Sequence, residues 1–207
     1  MFGENTYLVS TPREEGVVIG WAIDPGFPPA ADRLIDYAAR HQVCVEKILL
    51  THGHGDHIAG VDAVHAAHPE AQVGIAPGDQ IMLTDPRANL SSLFGVDLVI
   101  RAPADLSLTP GLTLTLGPYS WQVLDTMGHS PGGISLYCPQ AGQVFTGDAL
   151  FPGSIGRTDF PGSNGRQLIA NIRRNLLTLP DDTVVYAGHG PTTTIGIERK
   201  SNPFLTE

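Results

Sequence analysis

The segment 45–64 contains the feature that most constrains how this chain can fold. Residues 45–50 predict a buried strand, and residues 58–64 have the apolar spacing of a helix start. The loop between them, 51–57, carries three histidines and one aspartate. Two glycines in this loop permit tight turns, so alternate side chains can converge on one point. The fold must therefore place a strand end, this loop and a helix start together, where α/β proteins position their chemistry.

The histidines of this loop indicate a metal site. Neutral imidazole and carboxylate together form the ligand set of a borderline divalent metal such as zinc or iron. A single histidine is usually a surface or core residue, but a cluster repels itself when protonated and is costly to bury without a cation. We therefore predict that the loop ligates metal through His52, His54, Asp56 and His57.

Three later strand ends carry further ligand types, each directly after a glycine: His129, Asp148 and His189. The remaining histidines lie on predicted helices and are interpreted as surface residues: His41, His65 and His68. Five histidines and two aspartates exceed one tetrahedral site and suit two metals that share a bridging carboxylate. A water between two such cations would be hydroxide near neutral pH, which predicts attack on a carbonyl or phosphoryl centre.

Strands and helices are predicted along the whole chain, as one domain over residues 1–207. Predicted strands are 5–10 and 17–24, joined by a hairpin loop at 11–16, then 45–50, 73–75, 98–100, 112–116, 121–125, 133–137, 144–146 and 184–186. Predicted helices are 30–41, 58–68, 78–83 and 167–179. Outside the strand at 98–100, residues 84–110 are expected to be mostly loop.

The composition of the chain excludes several classes of binding partner and indicates a cellular location. A formal net charge of −9 argues against nucleic acid, because no basic stripe is available to neutralise phosphates. The apolar run 17–23 is too short to span a bilayer and no secretory signal is visible, so we expect no membrane association. Two cysteines, Cys44 and Cys138, support neither a disulfide framework nor a thiolate metal site and are interpreted as small hydrophobes. A reducing cytoplasmic location fits best.

Four motifs, in this order, resemble the metallo-β-lactamase superfamily: Thr-His-x-His-x-Asp-His at 51–57, Gly-His-Ser-Pro-Gly-Gly at 128–133, Gly-Asp at 147–148 and Gly-His at 188–189. Segments 147–160 and 188–204 are similar to those of the small glyoxalase II-like hydrolases. The resemblance implies an α/β (α+β) fold, an αββα sandwich with its metal site at the edge of two facing mixed sheets.

The resemblance also implies a role for each candidate ligand. His52, His54 and His129 would hold one divalent metal ion, Asp56, His57 and His189 a second, and Asp148 would bridge the two. Zinc is the expected metal, with iron or manganese as alternatives. In glyoxalase II-type hydrolysis the bridging hydroxide attacks the carbonyl of an S-acylglutathione thioester, so Asp56 and Asp148 are also assigned to catalysis. The expected partner is a small-molecule thioester, and nothing in the sequence indicates an oligomeric state.

Substrate-binding residues follow less directly from the resemblance. Arg157 matches a basic position that binds the glutathione carboxylate in that family, and a guanidinium suits this role. Glyoxalase II enzymes continue after the last histidine with Glu-Tyr and a C-terminal helical domain that contributes basic contacts. This sequence has Gly190-Pro191 at that point, so Arg199 and Lys200 are the candidates to replace those contacts.

Two other interpretations stay open. Persulfide dioxygenases resemble this chain over residues 156–160 and hold one iron with residues that match His52, His129 and Asp148, but they follow the last histidine with Asp-Tyr. A non-catalytic metal-binding module is less consistent with the sequence, because it would be favoured by missing ligands and none is missing. Nucleic-acid processing on this fold is disfavoured by the acidic charge.

Overall fold

The strands form two mixed sheets and one short hairpin in the computed structural model, which describes residues 3–13 and 16–206. The first sheet contains, in spatial order, β1 (Tyr7–Pro12), β2 (Val18–Ile23), β3 (Val43–Leu49), β4 (Gln72–Ile75) and β5 (Ala104–Ser107). The pair β1–β2 is antiparallel, and the other neighbours are parallel.

The second sheet arranges its strands so that several of them end at one edge. It is built from β6 (Thr113–Leu116), β7 (Tyr119–Asp125), β8 (Ile134–Cys138), β9 (Gln143–Gly147), β12 (Val184–Ala187) and β13 (Thr193–Thr194), in the spatial order β13-β12-β9-β8-β7-β6. The hairpin is β10 (Leu150–Phe151) and β11 (Ser154–Ile155). Because β7 and β9 both run antiparallel to β8, and β12 runs parallel to β9, the carboxyl ends of β7, β9 and β12 share one edge.

Helices cover the outer face of each sheet. They are α1 (Ala30–Arg40), α2 (Gly55–Ile58), α3 (Val61–Ala67), α4 (Gly165–Asn171), which continues into a π-helical segment Ile172–Leu176, and α5 (Ile195–Ser201). Two 3₁₀ segments are Pro77–Leu83 and Ser91–Phe94. None of the described helices is both long and apolar enough to cross a membrane.

Three apolar clusters hold these layers together. The first packs α1 and α3 on the first sheet, for example Leu34 on Ile48 and Val61. The second fills the space between the sheets and includes Trp21 and Trp121, whose rings lie 6.0 Å apart. The third packs α4 and α5 on the second sheet. The order helix, sheet, sheet, helix confirms the predicted αββα sandwich.

Several predicted elements differ from the structure. The predicted strand at 98–100 is wrong: Val99 is 44% exposed in an irregular segment, and the fifth strand of the first sheet is β5. The predicted helix at 58–68 begins later, as α3 (Val61–Ala67), and Ile58 is the last residue of the separate helix α2. The two helices are separated at Gly60, which donates its N–H to Pro25 and packs so closely on Ala31 that no Cβ fits. The strands of β10, β11 and β13 and the helix α5 were not predicted. The hairpin loop at 11–16 includes residues 14 and 15, which lie outside the described residues.

Candidate metal centre

Seven side chains meet at the edge where the carboxyl ends of the strands converge. His52 and His54 lie on the loop after β3, and the short helix α2 carries Asp56 and His57. The loops that follow β7, β9 and β12 contribute one residue each: His129, Asp148 and His189. The structure therefore brings all seven predicted ligands together, from strands in both sheets.

The first group of candidate ligands is buried, and two of its members, His54 and His129, retain a small exposed fraction. One nitrogen each of His52, His54 and His129 lies within 4.8 Å of the others. The Nδ1 atom of His54 is 2.9 Å from Nε2 of His129, so His54 presents a different ring nitrogen from its neighbour. Three imidazoles at this spacing match the ligand set of a catalytic zinc site.

The second group is half-buried and opens toward solvent. Ligand atoms of Asp56, His57 and His189 lie within 4.8 Å of one another. Asp148 lies between the two groups: its Oδ1 is 3.3 Å from Nε2 of His57, and its Oδ2 is 3.5 Å from Nε2 of His129 and 3.6 Å from Nε2 of His189. This carboxylate contacts histidines of both groups with its two oxygens.

Two glycines allow this close approach. A Cβ on Gly188 would overlap the Asp148 carboxylate and the His57 ring. Gly147 has φ of +48°, and a Cβ there would overlap the side chain of Thr51. Glycine is therefore required where β9 and β12 end.

The electrostatics of the first group favour a bound cation. Burial and repulsion from the neighbouring imidazoles lower the pKa of His52, and they lower the pKa of His54 to about 3. Both rings are therefore neutral at pH 7 and offer a lone pair. Nε2 of His52 is buried and makes no hydrogen bond within the described part of the chain. An orphaned ring nitrogen that points at two other imidazoles is what a metal would satisfy, so the residues fit a metal ion.

In the second group the pKa of the histidines is shifted in the opposite direction, upward. Burial alone would lower the pKa of His57, but the carboxylates of Asp148 and Asp24 outweigh burial and hold this pKa well above its usual range. Burial is likewise outweighed at His189, whose pKa is raised by Asp56 and Asp148. For the carboxyls, burial is outweighed by these histidines, which lower the pKa of Asp56 and of Asp148. The second group is thus a set of ion pairs whose protons a metal would displace.

Asp24 orients this second group and was not predicted as a site residue. Its Oδ2 lies 3.0 Å from Nδ1 of His57 and accepts a hydrogen bond from Oγ1 of Thr51 at 2.6 Å, while Oδ1 accepts from the Thr51 N–H at 2.7 Å. Asp24 could also form a ligand set with His52 and His57. Because these hydrogen bonds already use both of its oxygens, we interpret Asp24 as the residue that fixes the His57 ring.

Asp79 joins the two loops of the first group and was also missed. It is fully buried and accepts hydrogen bonds from the N–H of Gly53, from Oγ of Ser130 and from the N–H of Gly132. In the same group, Nδ1 of His129 donates a hydrogen bond to the carbonyl of Arg157 at 2.8 Å. Asp79 therefore holds the two loops together, and the Arg157 carbonyl fixes the His129 ring, as outer-shell partners of metal ligands do.

A cavity of about 680 Å³ opens onto the ligands. Apolar side chains form much of its lining, and Arg157 is its one lysine or arginine among the described residues. The lining consists of Phe27, Pro28, His54, Gly55, Asp56, Asn89, Leu90, Ser91, Phe94, Val96, His129, Asp148, Phe151, Ser154, Ile155, Arg157, Phe160 and His189.

The three predicted substrate-binding residues have different surroundings. Arg157 lies in the cavity lining, where its guanidinium bonds Asp159 at 2.9 and 2.8 Å and stacks 4.4 Å from the Phe160 ring centroid. Arg199 bonds the carbonyls of Leu177 and Leu179 as well as Asp181. Lys200 is exposed, and neither it nor Arg199 lines the cavity. The structure therefore brings Arg157 to the site but not the other two.

Comparison with known proteins agrees with this geometry. Residues 2–189 match the family described as the metallo-beta-lactamase superfamily, and the chain belongs to it. A probable metallo-hydrolase of Streptococcus pyogenes serotype M6 is 39% identical over 98% of this chain and 86% of its own length. The hydroxyacylglutathione hydrolase GloC of Haemophilus influenzae is 35% identical over 99% of this chain and 93% of its own.

Solved structures share the same architecture. The crystal structure of BLEG-1 B3 metallo-beta-lactamase has a TM-score of 0.90 and 40% identity, with 99% of this chain and 95% of that chain covered. TTHA1623 in a di-iron-bound form has a TM-score of 0.81 and 39% identity, with 98% of this chain and 95% of that chain covered.

Proposed function

We propose that this metal-dependent hydrolase of the metallo-beta-lactamase superfamily cleaves thioesters, with S-acylglutathione or a related thioester as substrate. The observation that carries the proposal is the position of Asp148, whose two oxygens face histidines of both ligand groups. Similarity to a hydroxyacylglutathione hydrolase over almost the whole chain supports the thioester as the substrate class.

The proposal assigns two divalent metal ions, zinc first, to the seven side chains. His52, His54 and His129 would hold one, Asp56, His57 and His189 would hold the other, and Asp148 lies between the two groups. When bound, such cations would lower the pKa of a bound water and polarise a carbonyl group. The chain's own contribution is orientation: Asp24 fixes the ring of His57, and the carbonyl of Arg157 fixes the ring of His129.

Arg157 is proposed to bind an anionic group of the thiol carrier. Its present partner, Asp159, is exposed, so a substrate carboxylate can take that place with the same bidentate geometry. The leaving thiolate needs little proton transfer because its pKa is far below that of an alcohol or amine. Small-molecule thioesters and a cytoplasmic location belong to the same proposal.

Two alternatives have their own support. β-Lactam hydrolysis is favoured by the likeness to BLEG-1, a protein named as a B3 metallo-beta-lactamase. Oxygen chemistry at a single iron, as in persulfide dioxygenases, draws its support from the likeness to ETHE1 from Myxococcus xanthus, which has a TM-score of 0.76 and 29% identity, with 98% of this chain and 81% of that chain covered.

One assay panel separates these possibilities. The protein loaded with zinc or iron is supplied with an S-acylglutathione, a β-lactam, or a persulfide with oxygen, and kcat/KM is measured for each. We expect the highest kcat/KM for the thioester with the zinc-loaded protein. Oxygen consumption with iron and persulfide, without thioester cleavage, would contradict the proposal.

A further inference from the structure

The segment 89–96, which packs against the histidine loop 51–57, forms an apolar wall of the cavity. We propose that this wall, defined as Leu90, Phe94 and Val96, binds a large apolar acyl group of the substrate, an alkyl chain or an aryl ring. The inference rests on the thioester hydrolysis proposed above and names its substrate class. The cavity volume of about 680 Å³ lies in the range of pockets that enclose drug-sized ligands.

The wall is continuous with the metal centre. Gly55 lies between the ligands His54 and Asp56, and its N–H donates to the carbonyl of Asn89 at 2.8 Å. A Cβ on Gly55 would approach Cβ of Ser91 to 3.2 Å, so the two segments are in direct contact. A thioester whose carbonyl group is bound at the candidate ligands can therefore extend its acyl substituent along the wall.

Polar groups beside the wall are already used by the protein. The Asn89 amide donates to the carbonyls of Met82 and Leu98, and its oxygen accepts from the N–H of Ser91. Oγ of Ser91 accepts from the N–H of Leu98. Oγ of Ser91 also donates to the carbonyl of Pro86. Since both side chains already form hydrogen bonds within the protein, the wall offers mainly apolar contact.

The conformation of the segment supports a binding role. Leu90 has φ of +66°, a left-handed conformation that leucine rarely adopts, and such residues concentrate at binding sites. Phe94 is 60% exposed and Val96 is 42% exposed, although both line the cavity. Exposed apolar side chains beside a reactive centre often mark a site of ligand binding.

A second wall is also apolar and adjoins the same ligands. The ring of Phe160 lies 5.7 Å from that of His54, and the ring of Phe151 lies 6.2 Å from that of His189. Among the lining residues that the structure describes, Arg157 is the one lysine or arginine, and it already has Asp159 as a partner. The cavity thus offers one cation for an anionic carrier and apolar surface for the remainder of the substrate.

The test uses the zinc-loaded full chain and thioesters of one thiol with straight acyl chains from acetyl to octanoyl. We expect kcat/KM to rise roughly two- to fourfold for each added methylene group. Phe94→Ala and Val96→Ala should each reduce this dependence and lower kcat/KM for the octanoyl thioester about tenfold relative to the acetyl thioester. Leu93→Ala is the matched control, because Leu93 is 67% exposed, is adjacent to Phe94 and does not line the cavity.

Binding of non-hydrolysable alkyl thioethers, measured by calorimetry, separates this inference from the proposed reaction. Thioether affinity that rises with chain length and falls in Phe94→Ala supports the apolar wall even when no thioester is cleaved, in which case only the proposed reaction fails. Thioester cleavage with kcat/KM independent of acyl length, or thioether affinity independent of chain length, would overturn the inference.

Discussion

Nδ1 of His57 lies 3.0 Å from Oδ2 of Asp24, the residue that directly follows β2. The pairing leaves Nε2 of His57 facing Asp148 and His189, so the ring is held with one nitrogen directed at the second ligand group. A carboxylate from one strand therefore fixes a ligand that belongs to the loop after its parallel neighbour, β3.

Asp24→Asn should weaken the second metal far more than the first. The amide removes the negative charge that holds the Nδ1 proton of His57, and loss of such outer partners typically costs about 10–100-fold in metal affinity. Stepwise zinc titration measures both affinities. Asp36→Asn, an exposed position on α1, is the control and should change neither. Equal losses at both sites would show that Asp24 supports the whole loop rather than His57.

Metal binding should depend on pH differently at the two groups. Because the pKa of His52 and of His54 is lowered, these rings are already neutral, and the first metal displaces no proton from them near pH 7. Because the pKa of His57 and of His189 is raised, the second metal competes with protons there, and its affinity falls as pH is lowered.

Calorimetry of zinc binding at about pH 6 and about pH 8, in buffers of different ionisation enthalpy, measures the protons released. We expect proton release with the second metal and a loss of its affinity at the lower pH. Equal pH dependence for both metals would contradict the assignment of charge to the two groups.

Arg157→Ala should raise KM for an anionic thioester roughly tenfold while kcat changes little. The reason is that a carboxylate remote from the reacting carbonyl binds Arg157 equally well in the ground state and in the transition state. KM for a neutral thioester should stay the same. Arg166→Ala, an exposed position on α4, serves as the control. An unchanged KM in Arg157→Ala would return this arginine to a surface role beside Asp159.

Arg199→Ala should act on stability instead of on substrate binding. The guanidinium donates to the carbonyls of Leu177 and Leu179, which the variant leaves without this donor. We expect the free energy of unfolding to fall by about 1–3 kcal/mol in a denaturant titration, with KM unchanged. A rise in KM equal to that of Arg157→Ala would place Arg199 at the substrate.

The convergence of the seven candidate ligands was predictable because their signals in the sequence are local. His52, His54, Asp56 and His57 share one short loop, and the other three ligands each follow a predicted strand with a glycine before them. The superfamily resemblance then supplied the sandwich that brings those strand ends to one edge. The local sequence pattern and the superfamily resemblance selected the same seven side chains, and the structure brings these side chains together.

The supporting residues were not predictable in the same way. Asp24 and Asp79 act on residues that are 26 to 53 positions away in the chain, and such contacts leave no periodic pattern. The position of Asp24, at the end of the strand beside β3, is the one signal that pointed to it. Likewise, β10, β11 and β13 contain two residues each, too few for alternation to be detected.

The bridging position of Asp148 is tested most directly by elemental analysis of metal content per chain, for the protein and for Asp148→Ala purified without added metal. We expect about two metals per chain in the unmodified protein, because Asp148 faces both ligand groups. We expect Asp148→Ala to lose both metals and all activity. A single metal in the unmodified protein, or full metal content in Asp148→Ala, would contradict the bridged pair.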